Sequence, residues 1–141
     1  MKGKLLLIVV IAEIFLFGGC KDPGVITQIE GLNVNVSNSP SVANTQNSFA
    51  FNVNANTFGT ALEYPISFDK TSFEIAVSIT KLTTGDVSIQ IYNNSKQMLY
   101  NGNFNQNTSL DQIVTLDDTP TKIKLIFNNL SSSFSCSITG K

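Results

Sequence analysis

Few side chains in this sequence are equipped for chemistry, and their spacing limits what that chemistry is. Cys20 follows Gly18-Gly19 at the end of an apolar run, a placement that presents one thiol at a defined junction. The second thiol, Cys136, lies between Phe134 and Ile138 at two-residue spacing, which assigns it to an apolar strand face as a small hydrophobe. The carboxylates of the C-terminal hundred residues are scattered: Glu63, Asp69, Glu74, Asp86, Asp111, Asp117 and Asp118. Only Asp117-Asp118, beside Thr119-Pro120, approaches an oxygen-ligand set for a hard cation, and turn chemistry accounts for the same residues. No metal site and no cofactor are expected.

Tyr92 ends an alternating run on its polar parity and is followed by Asn93 and Asn94. An exposed ring beside amides can stack on a sugar and hydrogen-bond its hydroxyls, so these three residues are the candidate ligand-binding set. The competing reading is that Asn is frequent in turns because it tolerates positive φ.

What is missing narrows the classes further. The chain has no His, no Trp and no Arg. It therefore lacks the usual proton shuttle near neutral pH and the planar fork that clamps phosphate or carboxylate. A net charge of −1 gives no electrostatic footprint for nucleic acid. No Gly-x-Ser-x-Gly elbow occurs, and a non-enzymatic protein is expected. Charged residues make up 13% of the chain, about half the ~25% of an average domain, and Asn, Ser, Thr and Gln supply the polarity instead.

The elements that carry these residues fall into three parts. Lys2 and Lys4 precede an apolar stretch, Leu5 to Phe17, broken only by Glu13, with glycines after it. That order describes a secretory signal peptide over residues 1–19. The stretch is shorter than the ~20 residues a membrane-spanning helix requires. The segment Leu16-Phe17-Gly18-Gly19-Cys20 resembles a bacterial lipobox, with Phe17 where that family usually has Leu. The resemblance implies a signal helix, cleavage between Gly19 and Cys20, a covalent lipid on Cys20, and attachment to a membrane of the bacterial envelope. Lys21 stands where an Asp would signal inner-membrane retention in enteric-type lipoproteins, so the resemblance favours the outer membrane. Stable anchoring takes two or more acyl chains, each contributing ~0.8 kcal/mol per buried CH₂.

Residues 20–47 are rich in Asn, Ser, Gly and Pro and read as a polar tether. Within it, Leu32, Val34 and Val36 alternate with Asn33, Asn35 and Ser37, which suits either a short first strand over 32–36 or an extended linker.

Residues 48–141 carry alternating runs at Phe49–Val53, Leu62–Phe68, Phe73–Ile79, Val87–Ile91, Met98–Phe104, Val114–Leu116, Ile123–Phe127 and Phe134–Ile138. Gly85-Asp86 between two of them reads as a hairpin turn. Seven or eight short strands, each with one apolar face, predict an all-β antiparallel β-sandwich. From Thr71 onward, "GDVSIQIYNNSKQMLY", "DDTPTKIKLIF" and "SSSFSCSITG" resemble small jelly-roll modules of the pre-peptidase C-terminal type. Such modules are mostly accessory, which implies folding, secretion or attachment roles rather than chemistry. The expected partners are a membrane, through the lipid, and an envelope protein or a glycan.

Overall fold

A computed structural model describes residues 37–141. Cys20, the expected cleavage site at Gly19, the signal helix and the candidate strand over 32–36 lie outside the described residues. The described chain is all-β and antiparallel, with six strands: β1 (Ser41–Thr45), β2 (Ser48–Pro65), β3 (Ser72–Tyr92), β4 (Met98–Phe104), β5 (Thr108–Thr115) and β6 (Lys122–Gly140). Their order is β1-β2-β6-β3-β4, and β5 also pairs with β3. Among the described residues the sheet therefore begins at Ser41, inside the segment expected as tether.

Three strands are very long: β2 has 18 residues, β3 has 21 and β6 has 19. Straight strands of that length would leave one apolar face uncovered. Ring distances show that they double back. Phe127 and Phe134 both lie on β6, and in a straight strand they would be about 23 Å apart; their ring centroids are 5.4 Å apart. Phe51 and Tyr64 share β2, and their centroids are 6.1 Å apart. Each long strand thus crosses from one layer to the other, and the single sheet closes on its own apolar face as a two-layer sandwich.

One layer holds β1, residues 48–55 of β2, 132–140 of β6, 72–80 of β3, and β5. The other holds residues 58–65 of β2, 122–130 of β6, 84–92 of β3, and β4. All eight apolar runs fall on strands, but three pairs of them are continuous strands, so the eight runs make five strands and β1 is the sixth. Gly85-Asp86 is not a hairpin: β6 runs beside β3 on both sides of it, from Phe73↔Gly140 to Tyr92↔Lys122.

The crossing points are built from local backbone. Register shifts fall at Ala55–Thr60 of β2 and Thr80–Asp86 of β3, opposite 127–133 of β6. Positive φ occurs there at Thr57 (49°), Lys81 (57°), Gly85 (84°) and Asn129 (48°). The bulges also shift parity: β2 buries odd residues up to Val53 and turns even ones inward from Phe58, while β6 buries odd residues up to Phe127 and even ones from Leu130. Side-chain bonds stitch the line. Thr57 N donates to Ser131 Oγ (2.9 Å), Leu82 N to Asn107 Oδ1 (3.0 Å) and Asn128 Nδ2 to Asp86 Oδ1 (2.7 Å).

Packed between the layers are Phe49, Phe51, Phe73, Ile75, Ile89, Ile91, Ile123, Leu125, Phe127 and Ile138, each at most 2% exposed. Full burial of a side chain of this size contributes roughly 1.5–3 kcal/mol. On β4, Tyr100 and Phe104 close over Gly102, where a Cβ would sit 2.8 Å from the Tyr100 hydroxyl and 2.9 Å from the Phe104 ring.

Gly85 is the tightest point of the bend. At φ +84° a Cβ would lie 2.4 Å from the Asn128 carbonyl oxygen and 2.5 Å from that of Asn129, both main-chain atoms. Gly85→Ala is therefore expected to destabilise the fold by about 3 kcal/mol or more. Urea denaturation of the purified protein should show a lowered midpoint with an unchanged slope.

Candidate functional site

The Tyr92 region lies at the end of β3, on the outer face of the β4-containing layer. Strand register sets Lys122 beside Tyr92 on one side and Met98 on the other, with Pro65 beyond Lys122. Parity correctly puts Tyr92 on the outer face, but its surfaces are engaged. The Tyr92 hydroxyl donates to Gln90 Oε1 at 2.8 Å, and Lys122 Nζ stands 5.0 Å from the ring centroid in a cation–π arrangement. Glu63 bridges Lys122 and Lys124, each at 3.2 Å. Hydrogen bonds and charge from the two lysines hold the exposed Glu63 carboxyl below its ordinary 4.5.

Asn93 is not a surface amide. It is 5% exposed. Its Oδ1 accepts from Gln97 N (2.8 Å), and its Nδ2 donates to Asp118 Oδ2 (2.8 Å) and Gln97 Oε1 (3.4 Å). The side chain thus closes the turn into β4, where Lys96 has φ 63°, and ties that turn to the loop before β6. Only Asn94 of the three candidates is fully exposed. The set expected to bind a ligand is therefore mainly a structural knot, with one free amide.

Gln90, Glu63, Lys122 and Lys124 were not candidates from the sequence, although they surround Tyr92. Gln90 shares its parity and was within reach of sequence reasoning. The other three lie 29 to 32 residues away from Tyr92 in the chain, and only the register brings them together.

The other chemistry-bearing residues are kept apart. Among the described residues, no three His, Cys, Asp or Glu side chains are grouped to hold a metal ion. Asp118 Oδ1 caps Thr119 N (2.7 Å) and Asp69 bonds the Asn47 amide (2.8 Å), as turn chemistry predicts. Two Ser-x-x-Lys spacings occur, Ser67 to Lys70 and Ser78 to Lys81, in a loop and in β3. That motif needs a helix to stack its two side chains, and extended backbone puts residues three apart at about 10 Å. Two shallow surface troughs of about 340 and 320 Å³ lie on the outer face of the other layer. Asn52, Ser78 and Ser135 line both.

Cys136 is 3% exposed, facing inward opposite Phe51 and Val77. Burial pushes its thiol up to about 12. Burial also raises Tyr100, whose hydroxyl lies near Cys136 and Gln112 across the layers.

Two measurements check these assignments. Asn93→Ala leaves the Asp118 carboxylate and the Gln97 amide without their partner and is expected to cost about 1–3 kcal/mol, read as a lower thermal midpoint. For Cys136, the thiol is neutral in both states below pH 9 and ionises first in the unfolded chain above it. The contribution of this thiol to stability is thus fully present below about pH 9 and declines as pH rises toward 12. Native protein at pH 8 should leave Cys136 unmodified by a thiol reagent, while denatured protein should react stoichiometrically.

No family model matches the chain, and no curated protein sequence matches it.

Proposed function

We propose that this protein is a non-enzymatic, lipid-anchored β-sandwich of the bacterial envelope, acting as a structural or interaction module. The observation that carries the reading is the order of parts at the N-terminus. A lysine-flanked apolar run ends in Gly18-Gly19-Cys20, and the first strand among the described residues starts at Ser41. Asn38 already bonds to Asn54 and Asn56 of β2, which leaves residues 21–37 as the connecting segment, polar and turn-rich. Fully extended they would reach about 60 Å, and as a flexible coil about 23 Å, enough to hold a folded body clear of lipid headgroups.

The mechanism is tethering. Acyl chains on Cys20 fix one end, the polar segment gives reach, and the sandwich offers its faces and edge strands to a partner. The charge-poor surface suits recognition through shape and hydrogen bonds. Lys21 after the cysteine favours the outer membrane over the inner. A glycan-binding reading centred on Tyr92, Asn93 and Asn94 has less support, because Lys122 covers the ring and Asn93 is buried.

Cys20→Ser tests the proposal. The wild-type protein should partition into the detergent phase and show a mass increment for diacylglycerol on a chain that starts at Cys20. The variant should move to the aqueous phase or keep its leader. An unmodified Cys20 in wild-type material would overturn the reading.

A further inference from the structure

The exposed large hydrophobic residues among the described residues are Val42, Met98 and Ile113. They lie on β1, β4 and β5, the three short strands bordering the long ones. Soluble sheets usually protect such borders with lysine, proline, bulges or brevity. β1 is only five residues long, the pairing of β4 is interrupted between Ile91 and Tyr92, and the free edge of residues 58–65 of β2 carries Glu63 and Pro65. β5 carries one charge, Asp111, but no lysine, proline or bulge. Its eight residues, Thr-Ser-Leu-Asp-Gln-Ile-Val-Thr, pair with β3 from Ser72↔Thr115 to Ile79↔Thr108 without a register shift.

The open side of β5 can be read from one bond. Leu116 N donates to Thr71 O at 2.8 Å, so the even residues of this strand direct their main-chain groups toward β3. The odd residues Ser109, Asp111, Ile113 and Thr115 then direct their N–H and C=O groups away from the sheet. Their side chains lie on the outer face, where Ile113 is 68% exposed. Free main-chain groups and the most exposed apolar side chain therefore coincide on one border.

We propose that β5 is a self-association edge, joining a second copy of this chain antiparallel through a two-fold axis at Ile113. Self-complementarity selects this occupant. Centred on Ile113, the two isoleucines face each other and each Asp111 carboxylate faces a Thr115 hydroxyl, with main-chain bonds exchanged at all three pairs. Centring on Asp111 instead would oppose two like charges, which destabilises a strand pair. Centring on Gln112 would set Asp111 against Ile113. The Ile113 register alone covers the apolar group and keeps the carboxylates apart. Such an interface is isologous and closes at two copies. It stands independently of the anchoring reading.

The test uses the full chain, purified in detergent from whichever cell fraction holds it. Light scattering should give a protein mass twice that of one chain for the wild type and one chain for Ile113→Lys, with the variant keeping the wild-type far-UV spectrum and a cooperative thermal transition. Ile113→Cys should form a disulfide-linked dimer under mild oxidation, since paired Cα atoms about 5.5 Å apart fall within disulfide range. Wild type under the same oxidant, and Thr108→Cys, should not. A wild type with the mass of one chain, an Ile113→Lys protein that stays dimeric, or an Ile113→Cys dimer that does not cross-link would each overturn the proposal.

Discussion

The whole body depends on three long strands turning sharply at matched points without breaking their pairing. A folded single sheet needs residues on every strand that accept left-handed backbone at the crease, and Thr57, Lys81, Gly85 and Asn129 supply them. Each long strand then contributes to both walls of one core. Phe127 joins the walls, packing against Phe51 at 5.6 Å, Phe58 at 5.0 Å and Phe134 at 5.4 Å. Aromatic pairs at such spacings add about 0.5–1.5 kcal/mol each beyond the area they bury. The strained crease and the aromatic cluster support one another: without the crease the rings do not meet, and without the rings a β-branched residue such as Thr57 would not hold positive φ.

Asparagine performs much of the work that charge does elsewhere. Asn38 exchanges bonds with the main chain of Asn56, Asn47 with Asp69 and its N–H, and Asn44 Nδ2 reaches Pro65 O at 2.7 Å. Asn93, Asn107 and Asn128 fasten other loops and the crease. An amide donates and accepts at once, so one side chain can close a turn and hold a neighbouring strand. The ion pairs, Glu63 with Lys122 and Lys124 and Glu74 with Lys141, are confined to the outer faces. Exposed pairs of this kind contribute little. The amide-rich composition is thus largely explained by architecture.

Much of the fold was legible because alternation is a local signal. Phe73 to Ile79 and Ile123 to Phe127 bury every second residue, as their patterns require. Joining the runs was harder. Gly85-Asp86 has turn chemistry and does take positive φ, yet whether the chain reverses there depends on β6, some forty residues later. β1 escaped notice because Ser-Val-Ala-Asn-Thr has a single large apolar residue and every position is exposed. At the candidate site, the outward direction of Tyr92 followed from parity. The lysine over its ring and the burial of Asn93 depend on strands and loops distant in sequence, which no local pattern encodes.

The position of β6 has a consequence for how the chain comes to be folded. It follows the other five described strands in the chain and lies in the middle of the sheet, between β2 and β3, so those two strands have no partner in common until it emerges. Ser48 pairs with Thr139, which closes a loop spanning nearly the entire body. Such non-local pairing is slow to nucleate. A chain still being synthesised therefore stays open, and the barrier to compaction falls only once β6 has been made.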